Sequence, residues 1–191
     1  MLTPPPRKNT LGYSLLEMVI TLAVAAILLS IGLPSFTEQI EEQRNEQVIN
    51  RLYTILQQTR HRAVSQKQPT TLCKTADFST CGGDWGQGIL IFTDQNLDGR
   101  RDDNETIHLT VNDLFDEGNL HWRSFGNKRY LQFLPTGSTN YQNGTFTYCD
   151  KDNDLKKARG ISITVTGRTQ IAFDRNGDGV RENASGRPLR C

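Results

Sequence analysis

The chain has 191 residues, 22 Lys and Arg against 21 Asp and Glu, 36% hydrophobic residues and a mean hydropathy of -0.54. That length fits one domain with an appendage, and the composition excludes a disordered chain, a collagen-like repeat and a polytopic membrane protein. A net charge of +1 excludes a uniformly basic nucleic-acid binder, though not a local basic patch. Hydrophobicity is unevenly placed: Tyr13 to Leu33 carries a single charge, Glu17, while most of the remaining chain is polar.

Residues 1–12 are short, proline-rich and basic through Arg7 and Lys8. The 21 residues Tyr13–Leu33 follow, long enough for a helix to cross a hydrocarbon core of about 30 Å. Basic residues ahead of such a span hold that end in the cytoplasm and leave the rest of the chain outside. A secretory signal peptide would read Ser30 and Gly32 as a poor cleavage site, and a plain signal anchor is the other ordinary reading. Two features oppose both. A carboxylate inside the apolar run is costly and calls for a partner, and no break separates the run from the helix-forming segment after it.

Gly12-Tyr13-Ser14-Leu15-Leu16-Glu17, with Pro34 beyond the apolar run, resembles the type III signal of type IV pilins and pseudopilins. Tyr13 stands where that family usually has Phe, and an aromatic is kept. The resemblance implies cleavage after Gly12 by a prepilin peptidase on the cytoplasmic side and methylation of the new N-terminus at Tyr13. It also gives Glu17 and Pro34 their roles as the assembly glutamate and the helix-distorting proline. It divides the chain into a leader, 1–12, a transmembrane and assembly helix, 13–33, and a soluble head, 34–191. Physically, a lone carboxylate in a bilayer gains from an opposite charge, and the terminal amine of a neighbouring subunit supplies one. That pair would set the axial register of subunits leaving the inner membrane for a filament. Pro34 removes a backbone donor near the membrane surface.

From Ser35 to about Lys67 the helix continues. Val48, Leu52, Ile55, Thr59 and Ala63 form one stripe at spacings of three and four, opposite a Glu, Gln and Arg face. Pro69 marks its end. Beyond it the period becomes two. Short apolar or β-branched runs at 70–74, 88–93, 106–111, 130–134, 144–148, 161–166 and 170–173 are separated by Gly, Asn and Asp clusters. The expected fold is α+β, a long N-terminal helix laid across an antiparallel sheet.

Cys73, Cys81, Cys149 and Cys191 permit three pairings, and a position outside the membrane favours oxidation. The expected pairs are Cys73–Cys81, closing a short loop, and Cys149–Cys191, pinning the C-terminus. A zinc site is the rival, without the C-x₂-C spacing or nearby His that would support it. Leu72-Cys73, Cys81, Trp85 and Gly88–Phe92 with Asp94, then Phe133–Gly137, Cys149 and Gly167-Arg168, narrow the resemblance to the GspH, FimT and FimU branch. It implies a low-copy minor pilin or minor pseudopilin that initiates or caps a filament, packing against other pilins through its helix. A pilus, a DNA-uptake pilus and a type II secretion pseudopilus are the three settings it allows.

Two motifs in the head could hold ligands. Asp94-x-Asn96-x-Asp98-Gly99-x₅-Glu105 matches the calcium-loop pattern throughout, with the Arg100 carbonyl at position 7 and Asp102 at position 9. The alternative is a polar hairpin turn without metal. A second copy, Asp174-x-Asn176-x-Asp178-Gly179, has Glu182 at position 9 but Ser185 at position 12, and no cofactor is required by either. The other motif is the basic C-terminus: residues 156–191 carry a net charge of +5 against -6 over 70–155. Lys156, Lys157, Arg159, Arg168, Arg187 and Arg190 are the candidate DNA contacts, with Gly167-Arg168-Thr169-Gln170 resembling an incomplete form of the GRxR motif of DNA-binding FimT-like pilins. Such phosphate contact would be sequence-independent and salt-sensitive; a solvated basic face is the alternative. His61, His108 and His121 are scattered and no nucleophile elbow, P-loop or H-E-x-x-H is present, so an enzyme is not expected.

Overall fold

The apolar stripe and the first proline after it decide the shape of the helix. The computed structural model describes residues 12–191, apart from the side chains of residues 31–35, 37 and 38. In it one helix, α1, runs Leu15–Gln66. Residues 1–11, most of the expected leader 1–12, and the Pro34 side chain lie outside the described residues. Lys67 turns out of the helix at φ 53°, two residues before Pro69, which has no N–H to continue the ladder.

Backbone contacts divide the chain into two units between Glu41 and Glu42. In the first, Ser14 Oγ accepts from the Glu17 N–H at 3.2 Å and caps the helix. The Thr21 and Ser30 hydroxyls donate back to the Met18 and Ile27 carbonyls, at 2.9 and 2.8 Å, keeping polar groups off an otherwise apolar surface. Leu15, Met18, Leu22 and Leu28 are each at least 64% exposed. Among the described residues no helix is long and apolar enough to cross a membrane; the apolar sequence continues through residues 31–33, whose side chains are outside that set.

The second unit holds the rest of α1 and eight strands. These are β1 (Thr70–Lys74), β2 (Ile89–Thr93), β3 (Ile107–Val111), β4 (Asn119–Ser124), β5 (Tyr130–Phe133), β6 (Gly144–Cys149), β7 (Arg159–Ile163) and β8 (Thr169–Ile171). They make two four-stranded sheets, β3-β2-β1-β5 and β4-β6-β7-β8, antiparallel throughout. The expected α+β fold, a long N-terminal helix with antiparallel sheet, is present, and its strands divide between two sheets. β4 was not among the expected runs, and β7 starts two residues earlier than expected, at Arg159.

Alternation sorts the side chains. Leu72, Ile89, Ile91, Leu131 and Phe133 share one buried cluster with Val48, Ile49, Leu52, Ile55, Leu56 and Ala63 of α1, each large aliphatic member contributing roughly 1.5–3 kcal/mol over exposure. Phe146, Ile161 and Ile163 from the second sheet enter the same cluster. The intervening residues Cys73, Leu90 and Phe92 point to the other face, where Cys81, Ile107 and Tyr130 cover them. Trp85 meets Phe146 edge-on with ring centroids 5.1 Å apart, and Trp122 stacks on Phe146 at 4.2 Å. Both expected disulfides form, Cys73–Cys81 and Cys149–Cys191, so the zinc alternative is set aside.

His108 on β3 should make the head less stable in mild acid. Its Nε2 lies 2.7 Å from Thr93 Oγ1 and its Nδ1 3.4 Å from Arg62 Nη1. Burial first, then the Arg62 charge, pushes its pKa below the ordinary 6.5. A depressed histidine pKa contributes stability that is fully present above 6.5 and is lost as pH falls from there through the folded value. Urea midpoints at about pH 7.5 and pH 5.5 should therefore drop for the wild type and drop less for His108→Gln. His121, lowered by burial and by Arg123, accounts for part of the slope that remains. Equal drops in the two proteins would exclude His108 as a source.

Candidate functional site

Two acidic loops in the head are built alike, and the likeness starts in their backbone. In the β2–β3 connection, Gly99 sits at φ 75° and is buried against the Tyr130 ring, into which a Cβ would run. Its N–H donates to Asp94 Oδ2 at 3.0 Å. Asn96 Oδ1 accepts from the Asp98 N–H at 3.2 Å, and Asp98 Oδ1 from the Arg100 N–H at 2.7 Å. Glu105 closes the loop, its two oxygens accepting from the N–H groups of Gln95 and Asp102 at 2.8 and 3.0 Å. Asp102 Oδ2 accepts from Asn96 Nδ2 at 3.0 Å.

The loop after β8 repeats this plan in fewer residues. Asp174 accepts from Gly177 and Gly179, at 2.7 and 2.8 Å. Asn176 Oδ1 accepts from the Asp178 N–H at 3.0 Å, and Asp178 Oδ1 from the Val180 N–H at 2.7 Å. Glu182 Oε2 accepts from the Arg175 N–H at 2.8 Å. Glu182 at position 9 thus does what Glu105 does at position 12. Among the described residues, Asp174, Asp178 and Glu182 are the one acidic triple whose oxygens lie within 4.8 Å of one another.

The first carboxylates of the two loops differ in electrostatics. Asp174 is held low by the N–H groups of Gly179 and Gly177. Burial pushes Asp94 above the usual carboxylate range, against the hydrogen bonds from Thr71 and Gly99.

The predicted DNA contacts differ in burial and are spread along β7. Arg159 is buried at 2% exposure, its Nε donating to Glu46 Oε1 at 2.7 Å. It is an internal ion-pair partner and is corrected from a phosphate contact to a structural one. Lys156, Arg168, Arg187 and Arg190 are exposed and Lys157 is half-buried. Arg168 lies on the β7–β8 turn, where its N–H donates to Thr164 Oγ1 at 3.2 Å. Lys156 precedes β7 at the opposite end of that strand. Arg190 is also at that end, between Leu189, packed with Ala158, and Cys191, bonded to Cys149.

A basic cavity of about 440 Å³ was not anticipated from the sequence. Lys74, His121, Arg123, Lys128 and Arg129 line it together with Trp122, and Lys74 pairs with Asp84 at 3.5 Å. Its residues come from β1, the β1–β2 connection that carries Asp84 and Trp85, β4 and the connection after β4, so no run of sequence announces it.

Residues 48–167 match the family of the type II transport protein GspH, and residues 7–33 match the prokaryotic N-terminal methylation motif. No curated protein matches the chain by sequence. Among solved structures, the type IV minor pilin FimU of Pseudomonas aeruginosa strain PAO1 is similar in two crystal forms. One gives a TM-score of 0.55 at 24% identity, covering 82% of this chain and 98% of that one. The other gives 0.50 at 21%, covering 76% and 98%. At these identities the likeness is one of fold. The minor pseudopilin EpsH of the Vibrio cholerae type 2 secretion system aligns over 64% of this chain and 90% of its own, at 13% identity and a TM-score of 0.44.

Proposed function

This chain belongs to the GspH family of minor pilins and pseudopilins, and we propose that it works as a low-copy minor type IV pilin that initiates or caps a pilus. The observation that carries the proposal is the union of two parts on one helix. The methylation motif over residues 7–33 opens the same α1 whose later turns supply the core of the head matched over residues 48–167. The exposed side chains of Leu15, Met18, Leu22 and Leu28 form a surface that needs lipid before assembly and other pilin helices afterwards. Prepilin peptidase cleaves after Gly12, Tyr13 becomes the methylated N-terminus, and Glu17 pairs with the terminal amine of a neighbouring subunit. The chain is held in the inner membrane by residues 13–33, with its head outside, until it joins the pilus. Its role is structural, not catalytic.

Arg168 lies at one end of β7 and Lys156 and Arg190 at the other, which favours this reading over a DNA-binding pilin with one phosphate-tracking face. Substitution of Gly12 tests the proposal. Gly12→Val should leave the precursor uncut on a gel of membrane fractions, and cells carrying it should show the low piliation of a deletion strain. Normal processing of the variant would overturn the prepilin assignment. Normal piliation of the deletion strain would overturn the initiating role.

A further inference from the structure

Residues 70–155 hold seven Lys and Arg against thirteen Asp and Glu, yet four of those seven cations line the cavity of about 440 Å³. They are Lys74, Arg123, Lys128 and Arg129, and Asp84 is the single carboxylate among the lining residues. Lys74 takes that carboxylate at 3.5 Å. Among the described residues Arg123, Lys128 and Arg129 have no ion pair. Like charges gathered around a concavity repel one another, and its walls focus their field on whatever enters. The fold holds them there. β4 and β5 are edge strands of different sheets, and Trp122 Nε1 joins them by donating to the Tyr130 carbonyl at 3.3 Å. Between them the chain reverses through Gly126 and Asn127, at φ 69° and 51°, and Ser124 Oγ donates to the Lys128 carbonyl at 3.0 Å. That turn returns Lys128 and Arg129 to the cavity that Arg123 of β4 lines, and β1 supplies Lys74 from the other sheet.

The volume falls within the range of about 300–1,000 Å³ that small-molecule ligands fill, so a lone inorganic anion would leave most of it to water. The rest of the wall is chiefly polar. Asn127 and Ser124 offer an amide and a hydroxyl. Burial and the Arg123 charge hold His121 below its ordinary 6.5, so at neutral pH its ring both donates and accepts. Trp85 and Leu120 are buried, and Trp122 already stacks on Phe146 at 4.2 Å, which leaves little apolar surface for a ligand to cover. Cations suit an acid group, and neutral donors and acceptors suit hydroxyls. We propose that the cavity binds an acidic sugar, its phosphate or carboxylate held by Arg123 and Arg129 and its hydroxyls by Asn127 and His121. Guanidinium forks match either oxyanion. Such a site would let the head grip an anionic polysaccharide, and it does not depend on an initiating role in a pilus.

Calorimetric titration of the full-length protein in a neutral, sugar-free detergent tests this. Glucose-6-phosphate and glucuronate present the two acid groups on one sugar; glucose presents the body alone and inorganic pyrophosphate the charge alone. The expected result is saturable binding of at least one acidic sugar with a Kd of about 0.1–1 mM, weakening as salt is added, and none of glucose. A preference between the two acids tells a phosphorylated source from a uronate one, and either supports the site. Arg123→Gln with Arg129→Gln should weaken binding at least about tenfold. Both arginines are exposed, so the core stays intact, which an unchanged melting temperature checks. Lys151→Gln, which removes a cation outside the cavity, should leave binding as it was. Four results overturn the proposal: no saturable binding of either acidic sugar up to about 10 mM, pyrophosphate binding as tightly as both, binding that the double variant leaves unchanged, or a single-stranded oligonucleotide that binds at least about tenfold tighter and is lost in the same variant.

Discussion

Replacing Glu46 with alanine should destabilise the head by about 3 kcal/mol, near the lower end of the cost of stripping one partner from a buried ion pair. Arg159 is 2% exposed, and its Nε donates to Glu46 Oε1 at 2.7 Å. Its Nη1 donates to the carbonyls of Lys156, Lys157 and Ala158 at 3.3, 2.9 and 3.2 Å. Arg181 Nη2 shares the same Glu46 oxygen at 3.1 Å. One carboxylate therefore separates two guanidinium groups, and the Arg181 pKa is already lowered, first by burial and then by Arg159. Without Glu46 the two cations face each other, Arg159 buried and Arg181 partly exposed. The cost stays at the low end because the carbonyls remain, Glu42 stands 4.0 Å from Arg159 Nη2, and Glu46 itself is 43% exposed. Urea unfolding with an unchanged m-value measures the loss. Glu46→Gln, which keeps an acceptor but not the charge, should lose less. Adding Arg159→Met to Glu46→Ala should recover part of the loss by removing the stranded charge. A change below about 1 kcal/mol in Glu46→Ala would place the pair with ordinary surface bridges.

The same pair shows where sequence reasoning stops. Arg159 reads as one more cation in a basic stretch, because its partner lies 113 residues earlier and no local period links them. The helix stripe was legible, since Val48, Leu52, Ile55, Thr59 and Ala63 obey a spacing that packing alone imposes, and all five are buried. The disulfide partners were legible for a similar reason: one pair closes a short loop and the other ends the chain. The existence of two sheets was not, because strand order is set by contacts between distant segments. β4, Asn119–Ser124, has mixed polarity that fits an edge strand as well as a loop, and it does sit at a sheet edge. Both acidic loops were visible as motifs. The sequence pattern looks for a closing acid at position 12, however, and the shorter loop closes with Glu182 on the Arg175 N–H three positions sooner. The basic cavity was not visible, because its cations come from β1, β4 and the turn after β4.

Removing the Cys149–Cys191 bridge should cost more than removing Cys73–Cys81, although both lie within one head. The bridges span separations of 42 and 8 residues. Loop-closure entropy then predicts losses of about 4 and about 2.5 kcal/mol for the double serine variants. Native contacts widen the gap. After β8 the chain has isolated bridges, Phe173 with Glu182 and Glu182 with Pro188, but no further strand. Leu189, buried with Ala158 and Ala172 and flanked by Cys191, is the apolar anchor of this segment, which Arg181 with Glu46 and the Ala184 N–H with Ser162 Oγ also tie to the head. Gly160 lies beneath Leu189, too close for a Cβ, so the seat depends on the tail being held down. Cys73, by contrast, stays fixed by β1 pairing on both sides even when its bridge is lost. Cys149→Ser with Cys191→Ser should therefore speed amide exchange over residues 172–191 before the helix or the first sheet loosens. Cys73→Ser with Cys81→Ser should loosen only the connection between β1 and β2. Equal losses of stability, or exchange that rises uniformly through the head, would mean that the tail is seated by its packing and that the bridge merely records where it lies.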